Sequence, residues 1–381
     1  MKKKFLLFIM LVSIMTGLDA QQSSDRIVVF GTLLDPQAQM AESKELAQSI
    51  ANPGSPGWRA KGDQHRSYYF PAANTNVGYR LCVPNNWDGV SELPLVMFLH
   101  GAGSDENSYV DANNKQMITL ANQHGYILLA PLGYQGAYGT ILRLPAVFGQ
   151  SGEADKMIAK RTPEIERTQQ LSEKDVINVL EIVCNEYPVK RDAMFLSGHS
   201  MGSGGTWYLG AKYSFYWLAI APLSGPFVQE SGYPWDNLLG MPLHVSEGTN
   251  TPSLDGSRAL NHWLISHGFD VTYVEVNADH GGMIPLVLPG IYDFFDKNRA
   301  NMLTALPTPE STPSVLMGDV NRDENINIVD ALLIAQRYVR IIPDVFFEAA
   351  ADVNCSHSID IVDALLIAQY YVKLIVAFPC N

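Results

Sequence analysis

Between residues 77 and 276 the chain alternates short strand-forming blocks with longer amphipathic ones. Val77 to Val83 is rich in strand formers, Leu95 to Leu99 (LVMFL) is apolar throughout, and Tyr126 to Ala130, Ala193 to Ser197, Trp217 to Leu223, Met241 to Ser246 and Val271 to Val276 read as further strands. A run without polar alternation suits a strand buried on both faces. Pro94, just ahead of it, fits a strand's first residue, where no ladder donor is needed. Helical stretches, clearest over Glu173 to Tyr187 and Ser257 to His267, fall between the strands and predict a mostly parallel, doubly wound sheet. The first fifty residues of the mature chain carry no comparable pattern.

The pattern breaks at Leu306 to Ser314, LPTPESTPS, whose prolines make a stiff extended spacer. The expected division is therefore a large domain over 21–305, a linker over 306–315 and a small module over 316–381. At the other end, Lys2, Lys3 and Lys4 precede the short apolar run Phe5 to Met15, and Ala20 offers a small residue for cleavage. This is the build of a signal peptide over 1–20, so a secreted, extracellular protein is expected. No later segment is long and apolar enough to span a bilayer. The formal charge of −13 argues against nucleic acid, which needs a basic surface. Four cysteines suit an exported chain. Pairing Cys355 with Cys380 would staple the end of the small module to its second repeat, whereas Cys82 and Cys184 lie in the large domain; the connectivity is open.

The strand Ala193 to Ser197 runs into Gly198-His199-Ser200-Met201-Gly202 and then into a small-residue helix start, Ser203-Gly204-Gly205-Thr206. A strand, G-x-S-x-G and a helix together make a nucleophile elbow. The serine sits on a strained turn, and flanking glycines let strand and helix approach. This predicts an α/β-hydrolase fold with Ser200 as nucleophile and the Met201 N–H as an oxyanion donor. His100-Gly101-Ala102-Gly103, closing the Leu95 to Leu99 strand, offers the second donor, Ala102 ahead of Gly101.

The base follows the nucleophile in this fold. His244 falls inside a strand, and His262 and His267 lie on a helix with apolar neighbours. His280, in the loop Asn277 to Gly282 after strand Val271 to Val276, is the expected base. The acid belongs in the turn Glu247 to Gly256, where Asp255 is the only aspartate and Glu247 the alternative carboxylate. Such a Ser-Asp-His triad needs no catalytic cofactor.

These stretches resemble secreted esterases related to polyhydroxybutyrate depolymerases, feruloyl esterases and acetyl xylan esterases. The likeness covers about residues 65 to 300. It rests on Tyr79 to Pro84, Leu99 to Gly103, Gly198 to Gly202, Ala221 to Gly225 and Asp279 to Gly282. The departure is at the acid: such proteins carry Gly-x-x-Asp after the strand, and here Gly248-Thr249-Asn250-Thr251 puts Thr251 in its place.

Past the linker, Gly318 to Val339 and Ala351 to Val372 are near copies, with Asp352 following Asp319 by 33 residues. Each places oxygen donors at loop positions 1, 3, 5, 9 and 12, with the position 7 carbonyl as a sixth. The first set is Asp319, Asn321, Asp323, Asn325, Asn327 and Asp330; the second is Asp352, Asn354, Ser356, Ser358, Asp360 and Asp363. Two structural calcium ions are expected. Position 6, usually Gly, is Glu324 and His357, where a left-handed backbone would cost about 1 kcal/mol each.

The duplicated pattern resembles a type I dockerin, a small all-α module with two EF-hand-like calcium loops. The resemblance implies a cohesin on a cellulosome scaffold as partner. It also implies recognition through loop positions 10 and 11, here Ile328-Val329 and Ile361-Val362. Taken together, the expected function is a scaffold-borne carbohydrate esterase removing acetyl or feruloyl groups in plant polysaccharide degradation. The alternatives are a peptidase or polyester depolymerase of the same fold, and a catalytically weak, scaffold-bound interaction protein.

Overall fold

A computed structural model describes residues 34–381, except 51–52, 55–56, 136–137, 139–147, 150–161, 231, 306–315, 324, 340, 342, 344, 357 and 380–381. The expected signal peptide and linker lie outside the described residues, as do Glu324, His357 and Cys380. The chain forms two compact units, Met1–Leu303 and Thr304–Asn381.

The large unit holds one sheet of eight strands: β1 (Gly62–Phe70), β2 (Thr75–Val83), β3 (Leu93–Leu99), β4 (Ile127–Pro131), β5 (Val189–His199), β6 (Ala219–Leu223), β7 (Leu243–Gly248) and β8 (Val271–Val276). Their order is β1-β2-β4-β3-β5-β6-β7-β8. β2 runs antiparallel to both β1 and β4, and every later pairing is parallel. This is the α/β-hydrolase fold. Pro94 sits inside β3, at a register shift between Leu93 and Leu95, rather than at its first residue. A residue without an N–H is tolerated at such an irregularity.

The unbroken apolar runs are explained by two packed faces. Along β3, Leu95, Met97 and Leu99 enter one core cluster while Val96 and Phe98 enter the other; along β5, Met194 and Leu196 alternate in the same way with Ala193 and Phe195. Helices α1 (Pro36–Ile50), α3 (Pro163–Glu186), α4 (Met201–Lys212) and α5 (Leu254–Ser266) supply side chains to the first face. α2 (Ser108–His124) and α6 (Ile284–Ala305) supply the second.

α1 and β1, like α2 and α6, have no counterpart in the sequence pattern. The buried face of α1 is Gln39, Ser43 and Ala47, a stripe at helical spacing with little apolar content. It is held by polar pairing, with Gln39 Nε2 donating to Ser43 Oγ (2.9 Å) and Ser43 Oγ donating to Asn178 of α3 (2.7 Å). β1, GDQHRSYYF, buries only Tyr68 and Phe70 well. Its polar end is fixed by Arg80 of β2, whose guanidinium donates to Asp63 (2.8 Å) and Asp111 (2.9 Å).

The small unit contains α7 (Ile328–Tyr338) and α8 (Ile361–Tyr371). The duplication is visible in its core, where Val320, Ala331 and Ile334 are matched by Val353, Ala364 and Ile367, with Phe378 joining them. Cys355 is disulfide-bonded. Cys82 and Cys184 are free thiols, both pushed up by burial, to about 11 and about 12.

Candidate active site

β5 turns into α4 through Ser200, which adopts φ 58° and ψ −118°. Such a backbone is costly for any residue with a side chain and persists only where the surroundings impose it. Here β3 and β6 flank β5, and the Ser200 N–H donates to Leu223 O of β6 (3.0 Å). The glycines are required by contact. A Cβ on Gly202 would lie 2.0 Å from Leu99 O and 2.8 Å from His100 O, and one on Gly198 would lie 2.4 Å from Gly202 O.

The same close approach sets the His100-Gly101-Ala102-Gly103 turn against Ser200. A Cβ on Gly101 would be 3.4 Å from Ser200 Cβ. The Tyr109 hydroxyl lies 2.5 Å from where a Cβ on Gly101 would stand, while Ala102 is exposed on the turn. Met201 opens α4, in the turn whose amides lack intrahelical acceptors. Both expected oxyanion donors, Met201 and Ala102, thus belong to segments that border Ser200.

His280 lies exposed in the loop after β8, and that loop is tied to the elbow through its neighbour in sequence, His199. His199 Nε2 donates to the His280 carbonyl (2.7 Å), and the two rings stand 4.4 Å apart. A carbonyl only accepts, so Nε2 carries the hydrogen, and His199 Nδ1 accepts from the Tyr109 hydroxyl (2.7 Å). Burial, then the neighbouring His280, depresses His199 to about 4, so it remains neutral at ordinary pH. Among the described residues no hydrogen bond joins Ser200 Oγ to His280, and such contacts commonly close only on substrate binding.

His280 Nδ1 and Ser224 Oγ are 2.7 Å apart, and Ser224 Oγ donates to Glu247 Oε1, also at 2.7 Å. Glu247, buried in β7, is ringed by further donors. Gly248 N (3.1 Å) and Thr251 Oγ1 (2.9 Å) reach the same oxygen; Ser253 (3.1 Å) and Ser257 (2.7 Å) reach the other. Asp255, the aspartate expected from the sequence, is not brought to His280. α5 begins at Leu254, three residues before the expected start, and turns Gly256, Ser257, Leu260 and Leu264 inward. On that helix Asp255 faces out and is exposed. Sequence reasoning also passed over Tyr109, His199 and Ser224. His199 fills a variable place of the elbow motif, and Ser224 stands in Ala221 to Gly225, a stretch noted for resemblance and given no role.

In the small unit, Asn327 and Asp360 cap α7 and α8 in matching capping boxes with Asp330 and Asp363. Loop position 4 is left-handed in both repeats, Arg322 at φ 60° and Cys355 at φ 55°. The loop carboxylates turn toward their own amides; Asp330 Oδ1, for example, accepts from Val320 N (2.8 Å) and Asn321 N (3.2 Å). Among the described residues no group of three His, Cys, Asp or Glu forms a metal site. The donor sets nonetheless consist of oxygens that suit a hard cation, and Asp363 Oδ1 is buried with no hydrogen-bond partner. Ile328, Val329, Ile361 and Val362, which begin the two helices, are all exposed, at 46–51%.

Residues 317–371 match the family described as Dockerin type I domain. No curated protein sequence matches the chain. Among solved structures, the S-formylglutathione hydrolase of Staphylococcus aureus is similar over 64% of this chain and 98% of its own, with 17% identity and a TM-score of 0.43. A ferulic acid esterase of the anaerobic fungus Anaeromyces mucronatus covers 59% and 89%, with 19% identity and a TM-score of 0.41. A feruloyl esterase module of Clostridium thermocellum covers 60% and 87%, with 14% identity and a TM-score of 0.39. No helix among the described residues is long and apolar enough to cross a membrane.

Two outcomes follow from the geometry. Gly202→Ala should overpack the elbow and cost about 1–3 kcal/mol, read as a lower Tm. The second concerns His244, buried in β7 and likewise depressed to about 4 by burial. Its folded pKa lies below the unfolded one, so its contribution is complete above about pH 6.5 and is lost as pH falls toward 4. Wild type minus His244→Gln stability, measured by denaturant melts, should shrink across that window; a pH-independent difference would contradict the assignment.

Proposed function

We propose that this chain is a secreted serine esterase that hydrolyses acetyl or feruloyl esters on plant cell-wall polysaccharide, carried on a scaffold by its C-terminal module. The observation that carries the hydrolase reading is the strained Ser200 elbow with the His280 loop hydrogen-bonded onto it through His199. The polysaccharide substrate rests on the dockerin match, because scaffold-borne enzymes attack polymers; that step is association, not geometry.

In this reading His280 Nε2 takes the Ser200 proton as Oγ attacks the ester carbonyl. The Met201 and Ala102 amides stabilise the resulting oxyanion, and loss of one such donor typically costs about 3 kcal/mol. His280 then returns the proton to the leaving alcohol, and water, activated by the same imidazole, releases the acid and restores Ser200. Glu247 is the carboxylate of the set in place of Asp255, since it alone of the two is linked to His280.

In the C-terminal module, Asp319, Asn321, Asp323, Asn325, Asn327 and Asp330 would hold one calcium ion, and Asp352, Asn354, Ser356, Ser358, Asp360 and Asp363 a second. Bound calcium would neutralise each loop's carboxylates. The exposed Ile328-Val329 and Ile361-Val362 pairs would then meet a cohesin through apolar contact.

A fluorophosphonate probe should label Ser200, and Ser200→Ala should abolish labelling and lower kcat by about 10⁴-fold or more. Retained labelling would refute the nucleophile. Release of acetate or ferulate from xylan, compared with cleavage of polyesters and peptides, identifies the acyl class; turnover of peptides alone would favour a peptidase. Calcium should raise the melting temperature of the C-terminal module within the full chain. The Asp319→Ala/Asp352→Ala double variant should lose that response, and an unchanged response would remove these residues from the calcium sites.

A further inference from the structure

We infer that Ser224 is a positioning residue that joins His280 to its carboxylate and fixes which imidazole nitrogen is free to act as base. The inference rests on the proposed esterase reading and deepens it. It follows from the number of hydrogens each group owns. A serine hydroxyl has one hydrogen and two lone pairs, and an ionised carboxylate has none to give. Ser224 Oγ lies 2.7 Å from Glu247 Oε1, so its single hydrogen goes to the carboxylate. Only lone pairs then remain to face His280 Nδ1, also at 2.7 Å. That contact is a hydrogen bond only if Nδ1 carries the hydrogen. Nε2 is left bare, as a base for Ser200 requires.

The surroundings enforce this direction. The Gly248 N–H can only donate, and it does so to the same Glu247 oxygen that Ser224 reaches. The hydroxyls of Thr251, Ser253 and Ser257 complete the ring around the carboxylate. Ser224 itself is held at φ 43°, an unusual backbone for a residue with a side chain. Its N–H is tied to Ser246 O across to β7 (2.9 Å), which leaves the hydroxyl between the two groups it joins. The serine also accounts for a carboxylate seated within β7 itself. One intervening hydroxyl carries its influence to an imidazole that it does not touch.

The test reads the tautomer and the kinetics separately. In ¹⁵N-labelled full-length protein at pH 8, the His280 resonances, assigned with His280→Gln, should show a protonated Nδ1 and a bare Nε2. In Ser224→Ala that preference should be lost. With 4-nitrophenyl acetate, Ser224→Ala and Glu247→Gln should each lower kcat by about 10²-fold, less than the roughly 10⁴-fold for altering a directly bonded carboxylate. KM should stay within about threefold, because neither group touches substrate. A wild-type His280 protonated on Nε2, or a Ser224→Ala variant with unchanged kcat and tautomer, would overturn the proposal. Absence of ester turnover in the wild type would instead defeat the esterase reading, and the tautomer would still decide the role of Ser224.

Discussion

The close approach of α4 to the end of β3 is the constraint on which the site depends. Gly202 passes so near Leu99 O and His100 O that no Cβ fits between them. Relieving that contact would remove the left-handed turn at Ser200, and with it the neighbourhood of the Gly101–Ala102 backbone. Strain at one residue is therefore maintained by a whole sheet. Strands on both sides of β5, packed above and below, leave the elbow nowhere to relax.

A second layer of polar contacts converts that rigid turn into a site. His199 lies one residue before Ser200 and holds the His280 carbonyl by a hydrogen bond, while Tyr109 from α2 fixes the His199 ring. The buried hydroxyl ring around Glu247 has two roles. Ser253 and Ser257 join the start of α5 to β7, and Ser224 turns toward His280. Both oxygens of the buried Glu247 carboxylate are bonded, which is the condition for placing it inside an apolar core.

The parts of this arrangement legible in the sequence were those governed by local sterics or strict repetition. β3 to β6 announced themselves through apolar runs because both their faces are covered, whereas β2, β7 and the partly exposed edge strand β8 showed only as short strand-forming blocks. The elbow showed in its glycines, and the C-terminal repeats in their 33-residue spacing. β1 and α1 were silent because their anchoring is polar: Arg80 to Asp63, and Gln39 and Ser43 to Asn178. The surroundings of the two candidate carboxylates were hidden for a related reason. Asp255 was judged by its place in a supposed loop, whereas the helix begins at Leu254 and turns it to solvent. Glu247 could be preferred only once Ser224, distant in sequence, was seen between it and His280.

The central claim is that Ser200 forms a covalent acyl intermediate with help from His280. Its most direct test is a rapid acid quench of the full-length chain mixed with 4-nitrophenyl acetate, followed by mass spectrometry of the proteolysed protein. The account predicts about one acetyl group per chain within the first turnover, carried on the peptide that contains Ser200. A protein that releases 4-nitrophenol with no acyl adduct, or with the adduct on another residue, would contradict it.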